Sequence, residues 1–178
     1  IRKQIFRLRG QVSDARIHND SLVILDRLTD TDAYKNAGQI FCYVDFNHEV
    51  ETRDLLCRCM ADGKEVAVPK VQGRDMDFYR LTDFSQLEPG YLGIPEPVCG
   101  EIVIWEKALV IVPGVAFDPE CHRVGYGQGF YDRYLSYHPG HPAIALAFSF
   151  QIVEKAPWEV TDVLPDAVIT EKEIFVRS

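Results

Sequence analysis

The chain alternates between short apolar runs and segments whose apolar residues recur every three or four positions. The run ALVIV at 108–112 holds five apolar residues without interruption, three of them β-branched. A strand buried on both faces has this composition. PAIALAF (142–148) repeats the type, while QIFCYVDF (39–46), EVAVPKV (65–71) and MDFYRL (76–81) are rich in β-branched and aromatic strand formers. DAVITEKEIF (166–175) reads as a terminal strand with a turn. Helical spacing shows at Ile1, Ile5 and Leu8, with Arg2, Arg7 and Arg9 expected on other, solvated faces. A second helix begins at Ser13 and carries Leu22, Leu25 and Leu28. A third has Thr52 as its candidate cap, an apolar stripe of Leu55, Leu56, Cys59 and Met60, and Gly63 as its stop. LEPGYLGIPEP (87–97), with three prolines and two glycines, reads as loop.

The strand, helix, strand order over residues 39–71 is a βαβ unit, so the sheet is expected to be parallel there with a right-handed crossover. Glu49 falls just past the first strand, at the edge where open α/β sheets take ligands. A carboxylate there is also simply what a following helix N-terminus favours.

Chemistry concentrates between ALVIV and the helix announced by GFYDRYL. Gly125, Gly127 and Gly129 alternate with Tyr126 and Gln128, freeing the backbone to turn its N–H groups toward an anion, with a helix start behind them. Arg123 and Arg133 flank the stretch. Asp132 beside a phosphate cradle implies a cation such as Mg²⁺ between them. Neither the Walker pattern nor GxGxxG is met, because no Lys-Ser or Lys-Thr follows and Phe130 stands at the last glycine position. On spacing alone the stretch is either an anion cradle or an ordinary glycine-rich turn.

Composition narrows the partners. At 178 residues one domain, spanning 1–178, is expected. A net charge of −8 opposes nucleic-acid binding, although local arginines can still hold an anionic ligand. Five cysteines in no zinc-like spacing indicate free thiols in a reducing, cytoplasmic setting. The longest apolar run is too short to span a bilayer, so no membrane partner is expected. The five histidines share no ligand spacing.

The run AFDPECHRVGYGQGFYDRYL resembles the signature of the 5-formyltetrahydrofolate cyclo-ligase family, G-x-(A/G)-F-D-x-x-G-x-R-L-G-x-G-x-G-(Y/F)-Y-D. Gly114, Ala116, Phe117, Asp118, Arg123, Gly125, Gly127, Gly129, Phe130, Tyr131 and Asp132 stand at matching positions. Cys121 replaces a glycine and Val124 a leucine. E-V-E-T (49–52) resembles the family's E-(I/V)-x-T, and residues 87–97 resemble its G-x-x-G-I-x-E-P. The resemblance extends over nearly the whole chain. The family's K-x-x-L-R pattern places Ile1-Arg2 at its L-R, with the lysine falling before residue 1.

The resemblance implies a three-layer α/β/α domain with a mostly parallel central sheet, similar to ribose-phosphate isomerase and CoA-transferase relatives. It implies ATP- and Mg²⁺-dependent conversion of 5-formyltetrahydrofolate to 5,10-methenyltetrahydrofolate by a monomer. Arg123, Tyr131 and Asp132 are the implied catalytic residues. ATP would meet Arg2, Lys3 and the stretch from Arg123 to Tyr131, which includes Val124 and Gln128. The folate would meet Arg2, Val44, Glu49, Met76, Tyr91, Tyr126 and Phe130. Asp132 and Asp166 would hold the metal. Another nucleotide-dependent enzyme on this scaffold, or a non-catalytic folate binder, are the alternative readings.

Overall fold

The computed structural model describes residues Ile1–Ser178. In chain order the elements are α1 (Arg2–Arg9), α2 (Asp14–Asp30), α3 (Asp32–Asn36), β1 (Gln39–Cys42), α4 (Arg53–Ala61), β2 (Glu65–Gln72), β3 (Asp75–Arg80), β4 (Leu87–Pro89), β5 (Pro95–Pro97), β6 (Leu109–Val112), β7 (Ala116–Phe117), β8 (Arg123–Val124), α5 (Phe130–Tyr137), β9 (Ala143–Leu146), β10 (Ala167–Ile169) and β11 (Ile174–Val176). The main sheet has seven strands in the order β11-β10-β9-β6-β1-β2-β3. The five inner strands are parallel, with β3 and β11 antiparallel at the edges. The ALVIV run therefore supplies the middle strand, covered on both faces as its composition requires.

Side-chain alternation sorts the core into two halves. Ile40, Cys42, Leu109 and Ile111 face the side packed by α2 and α4, through Ile24, Leu25, Leu28, Leu55 and Leu56. Phe41, Val110 and Val112 face the side packed by α5 and the β7–β8 hairpin, through Leu135, Phe117 and Cys121. Each fully buried Leu or Ile contributes roughly 1.5–3 kcal/mol. A charge at Ile111, fully buried in the middle strand, would abolish that gain. The helix stops follow local chemistry: Gly63 adopts φ +73°, and Lys64 N–H reaches back to Cys59 O at 2.9 Å. Thr52 behaves otherwise than expected. It sits at the N-cap of α4, but its hydroxyl makes no cap hydrogen bond and donates to Tyr43 O at 2.8 Å, pinning the exit of β1. The 87–97 segment is also more ordered than a loop, being a short β4–β5 hairpin closed by a helical turn at Tyr91–Gly93.

Strand order positions the site. From β1 the chain leaves toward β2 on one side, whereas β6 leads to β9 on the other. Neighbouring parallel strands whose connections diverge open a crevice at their carboxyl ends. Glu49 follows β1 and Pro113–Gly114 follow β6, so both lie at that crevice. No helix is long and apolar enough to cross a membrane.

Candidate active site

Three chain segments converge on the β1–β6 crevice: the end of α1, the turn carrying Glu49, and the glycine loop. Glu49 is 8% exposed. Its Oε1 accepts from the Tyr126 hydroxyl at 2.5 Å and its Oε2 from Phe46 N–H at 2.9 Å. The Tyr126 hydroxyl in turn accepts from Arg9 Nη1 at 2.7 Å. Burial pushes the Glu49 carboxyl up to about 7, against the pull of the Tyr126 hydrogen bond and the Arg9 charge. Burial and the neighbouring Glu49 charge push the Tyr126 hydroxyl up as well, so it remains a donor.

Arg9 belongs to this site although the apolar pattern placed it on a solvated face. It lies four residues after Ile5, on the same helix face, and both are buried. Its Nη2 reaches Gly114 O at 3.1 Å. The one signal in the sequence was that spacing from Ile5, which arginines on every other face of α1 obscured.

The glycine loop is anchored from below. Asp118 builds the β7–β8 turn by accepting backbone N–H groups of Glu120, His122 and Ala156 at 3.0, 3.0 and 2.9 Å. Arg123 follows, its side chain 6% exposed, and pairs with Asp132 Oδ1 at 2.8 Å. The expectation of Arg123 as a free anion ligand is modified accordingly: its Nη2 is engaged by a carboxylate. Val124 packs in a small core with Ile5 and Ala156. Arg2 Nε donates to Gly125 O at 2.8 Å, which brings α1's first residue to the loop. Gly127 takes φ +101°, a conformation costly for any side chain. Gly129, at φ +66°, caps α5, and Gln128 O accepts from Arg133 Nη1 at 2.8 Å.

Tyr91 meets Phe130 edge-on at 6.0 Å, so the β4–β5 hairpin closes against the start of α5. Gly90 makes this possible, since a Cβ there would stand 2.3 Å from Glu96 Oε2. Val44 lines a pocket of about 340 Å³ beside Asp45, Arg53, Phe84 and Leu87.

Of the expected ligands, Met76 and Asp166 have partners away from the glycine loop, and Lys3 has none. Met76 is 6% exposed within the α5-side core, where β3 turns it inward. Lys3 is exposed on α1 and makes no side-chain hydrogen bond. Asp166 precedes β10, at the amino-terminal edge of the parallel strands, where it accepts from Ala143 N–H at 2.9 Å and Arg177 Nη2 at 2.6 Å. Asp132 stands in the first turn of α5, whose next residue, Arg133, binds Asp75 and the Arg74 carbonyl beyond the carboxyl end of β2. No hydrogen bond joins the two aspartates; Asp132 Oδ1 accepts instead from Val163 N–H at 3.2 Å, three residues ahead of Asp166.

Buried side-chain polar atoms without a partner number three, Arg9 Nε, Arg123 Nε and Tyr131 Oη, all on residues of this crevice. Unpaired donors are expensive to bury and rarely persist without a purpose. Asp132 receives both of its contacts, Arg123 and Val163 N–H, on Oδ1, leaving Oδ2 for a cation. One carboxylate oxygen together with substrate phosphates is a sufficient protein share for Mg²⁺.

A donor-rich, glycine-walled crevice with one buried carboxylate, at the switch point of a parallel sheet, marks an α/β domain with a ligand site of the doubly wound type. The comparisons make this specific. The family model described as "5-formyltetrahydrofolate cyclo-ligase family" matches residues 1–171, and the chain belongs to that family of ligases. A probable 5-formyltetrahydrofolate cyclo-ligase of Caenorhabditis elegans is 30% identical, covering 95% of this chain and 90% of that protein. The Mus musculus 5-formyltetrahydrofolate cyclo-ligase is 30% identical over 93% of this chain and 88% of its own length. The solved structure of Aquifex aeolicus 5,10-methenyltetrahydrofolate synthetase superposes with a TM-score of 0.85 at 32% identity, covering 98% of this chain and 90% of that one.

Proposed function

We propose that this protein cyclises 5-formyltetrahydrofolate to 5,10-methenyltetrahydrofolate, consuming ATP and releasing ADP and phosphate. Family membership supplies the reaction, and the observation that carries the site is the hydrogen bond from the glycine loop to the buried Glu49. It joins a carboxylate suited to a pterin to a loop suited to a triphosphate.

The formyl oxygen of the substrate is a poor leaving group. Transfer of the γ-phosphoryl group to that oxygen gives an iminium phosphate at N5. N10 then attacks the formyl carbon and gives up its proton, and departure of phosphate completes the methenyl bridge. The protein's part is positioning and charge neutralisation. Glu49 accepts N–H donors of the pterin ring. The backbone of Gly125–Gly129 and the start of α5 receive phosphate oxygens. Arg2 holds the loop closed at Gly125 O, and Arg123, paired with Asp132, ties the base of the loop to the first turn of α5. Asp132 Oδ2 would hold a Mg²⁺, which supplies charge neutralisation for the transferring phosphoryl group. Tyr91 and Phe130 shield the reacting carbon from water, which would otherwise consume the activated intermediate.

Purified protein given 5-formyltetrahydrofolate and MgATP is expected to form the methenyl product and ADP in equal amounts. ATP turnover that proceeds without the folate would overturn the reading.

A further inference from the structure

We infer that Arg9 is a positioning residue of this enzyme, acting on Glu49 through the hydroxyl of Tyr126. The inference rests on the reading of Glu49 as the carboxylate that meets the pterin.

Burying a guanidinium and a carboxylate is costly unless each is compensated. Arg9 is 2% exposed and Glu49 8%, and no direct ion pair joins either one to any group. Their only link is one phenol, 2.7 Å from Arg9 Nη1 and 2.5 Å from Glu49 Oε1. Because Tyr126 accepts from a guanidinium, which has no acceptor, its single proton points at Glu49. Glu49 Oε2 meanwhile accepts from Phe46 N–H. Both carboxylate oxygens are thereby used as acceptors, an arrangement that favours the ionised carboxylate over the neutral acid. A pterin edge bringing N–H donors requires that same state.

The groups facing Glu49 are Tyr43 and Asp45 from its own segment, Arg9 from α1, Tyr126 from the glycine loop and Tyr131 from α5. Arg9 is the only arginine or lysine among them. It is held by Gly114 O at 3.1 Å and by the rings of Phe6 and Tyr126, whose centroids lie 5.8 and 5.9 Å from its Cζ. His48 Nδ1 lies 3.1 Å from the Arg9 carbonyl, so the turn carrying Glu49 is tied to the end of α1 through backbone as well. Where the chain has Tyr126 between two glycines, the positive charge of the site comes from α1 and is relayed through that tyrosine.

The test uses Arg9→Met, Arg9→Lys, Tyr126→Phe and the double variant Arg9→Met/Tyr126→Phe in the full chain. The folate KM of Arg9→Met should rise about fivefold at neutral pH, because moving a carboxyl with a midpoint near 7 up by about one pH unit cuts its ionised fraction by roughly that factor. kcat and the ATP KM should stay within about twofold, and Arg9→Lys should recover part of the loss. The double variant should be no worse than the worse single, because both break one link. Independently of turnover, the Glu49 carboxyl is followed by carbon-13 NMR, its resonance assigned with Glu49→Gln. Its midpoint should lie near neutrality in the parent and move upward in Arg9→Met. A midpoint that does not move, additive losses, or an equal rise in the ATP KM overturns the inference. Absence of turnover in the parent with the midpoint still moving upward removes the proposed reaction and leaves the Arg9–Glu49 coupling standing. Tyr126→Phe, at a half-exposed ring, provides the answer if Arg9→Met fails to fold: its folate KM must rise and its ATP KM must not.

Discussion

Arg123 and Asp132 form a 2.8 Å ion pair in which the arginine is much the more enclosed partner, its side chain 6% exposed against 20% for the aspartate. The two halves of the pair are therefore unequal to lose. Asp132→Asn strands a buried guanidinium and should destabilise by on the order of 3 kcal/mol. Arg123→Met leaves a carboxylate that water can reach and should cost clearly less. Urea denaturation of both variants measures the difference, and equal losses would show that burial does not set the asymmetry. Both variants should lose nearly all turnover, while folate binding by Asp132→Asn, measured by calorimetry, persists.

Glu49 gives the protein a recognisable pH signature. Its folded-state value of about 7 lies above the ordinary carboxyl value of 4.5. Its contribution to stability is fully present below the unfolded value and is lost as pH rises through about 7. The loss amounts to roughly 3 kcal/mol over that window at 1.36 kcal/mol per unit. Chemical denaturation at a series of pH values should show this slope in the parent and lack it in Glu49→Gln. The same substitution should weaken folate binding by about 1.5–3 kcal/mol, the worth of a charge-assisted hydrogen bond, and leave ATP binding nearly unchanged.

Gly127 tests the nucleotide side. At φ +101° an alanine is strained by about 1–3 kcal/mol, a cost that the loop can relieve only by moving. Gly127→Ala should raise the ATP KM at least several-fold with a smaller effect on folate, as read from initial rates with each substrate varied in turn.

Cys121 occupies the left-handed region at φ +67° with its side chain fully buried against the α5-side core. Strain and burial oppose one another there. Cys121→Gly relieves about 1 kcal/mol of strain while giving up a similar burial term, so its stability should change little. Cys121→Ala keeps the strain and loses the sulfur, and should be about 1 kcal/mol less stable. Denaturation midpoints order the three proteins, and an alanine variant more stable than the glycine one would contradict this account.

The sheet was legible because its strands are buried on both faces and so are written as unbroken apolar runs. ALVIV, AIAL and the VAV within EVAV all became parallel strands. The glycine loop was legible from its motif. What escaped was decided by tertiary geometry. Arg9 is chemically indistinguishable from Arg2 and Arg7 until α1 is laid across the crevice. Met76 matched a pattern, but the β2–β3 register turned it into the core. Asp166 is engaged by Ala143 N–H and Arg177, and nothing local in P-D-A-V records those partners. Thr52 sits where a cap belongs, yet a nearer acceptor on Tyr43 claims its hydroxyl.

The adjacency of β1 and β6 has a kinetic meaning. Ile40 pairs with Leu109 and Cys42 with Ile111, so the crevice is walled by strands that are distant in sequence. Closing that long segment is paid before the contact returns anything. Neither wall can hold a ligand by itself, and no partly folded fragment of the chain would bind. Amide exchange in the two strands should therefore report global unfolding rather than local fraying. A bound substrate, by bridging them, slows the loss of the whole domain, not merely of its loops.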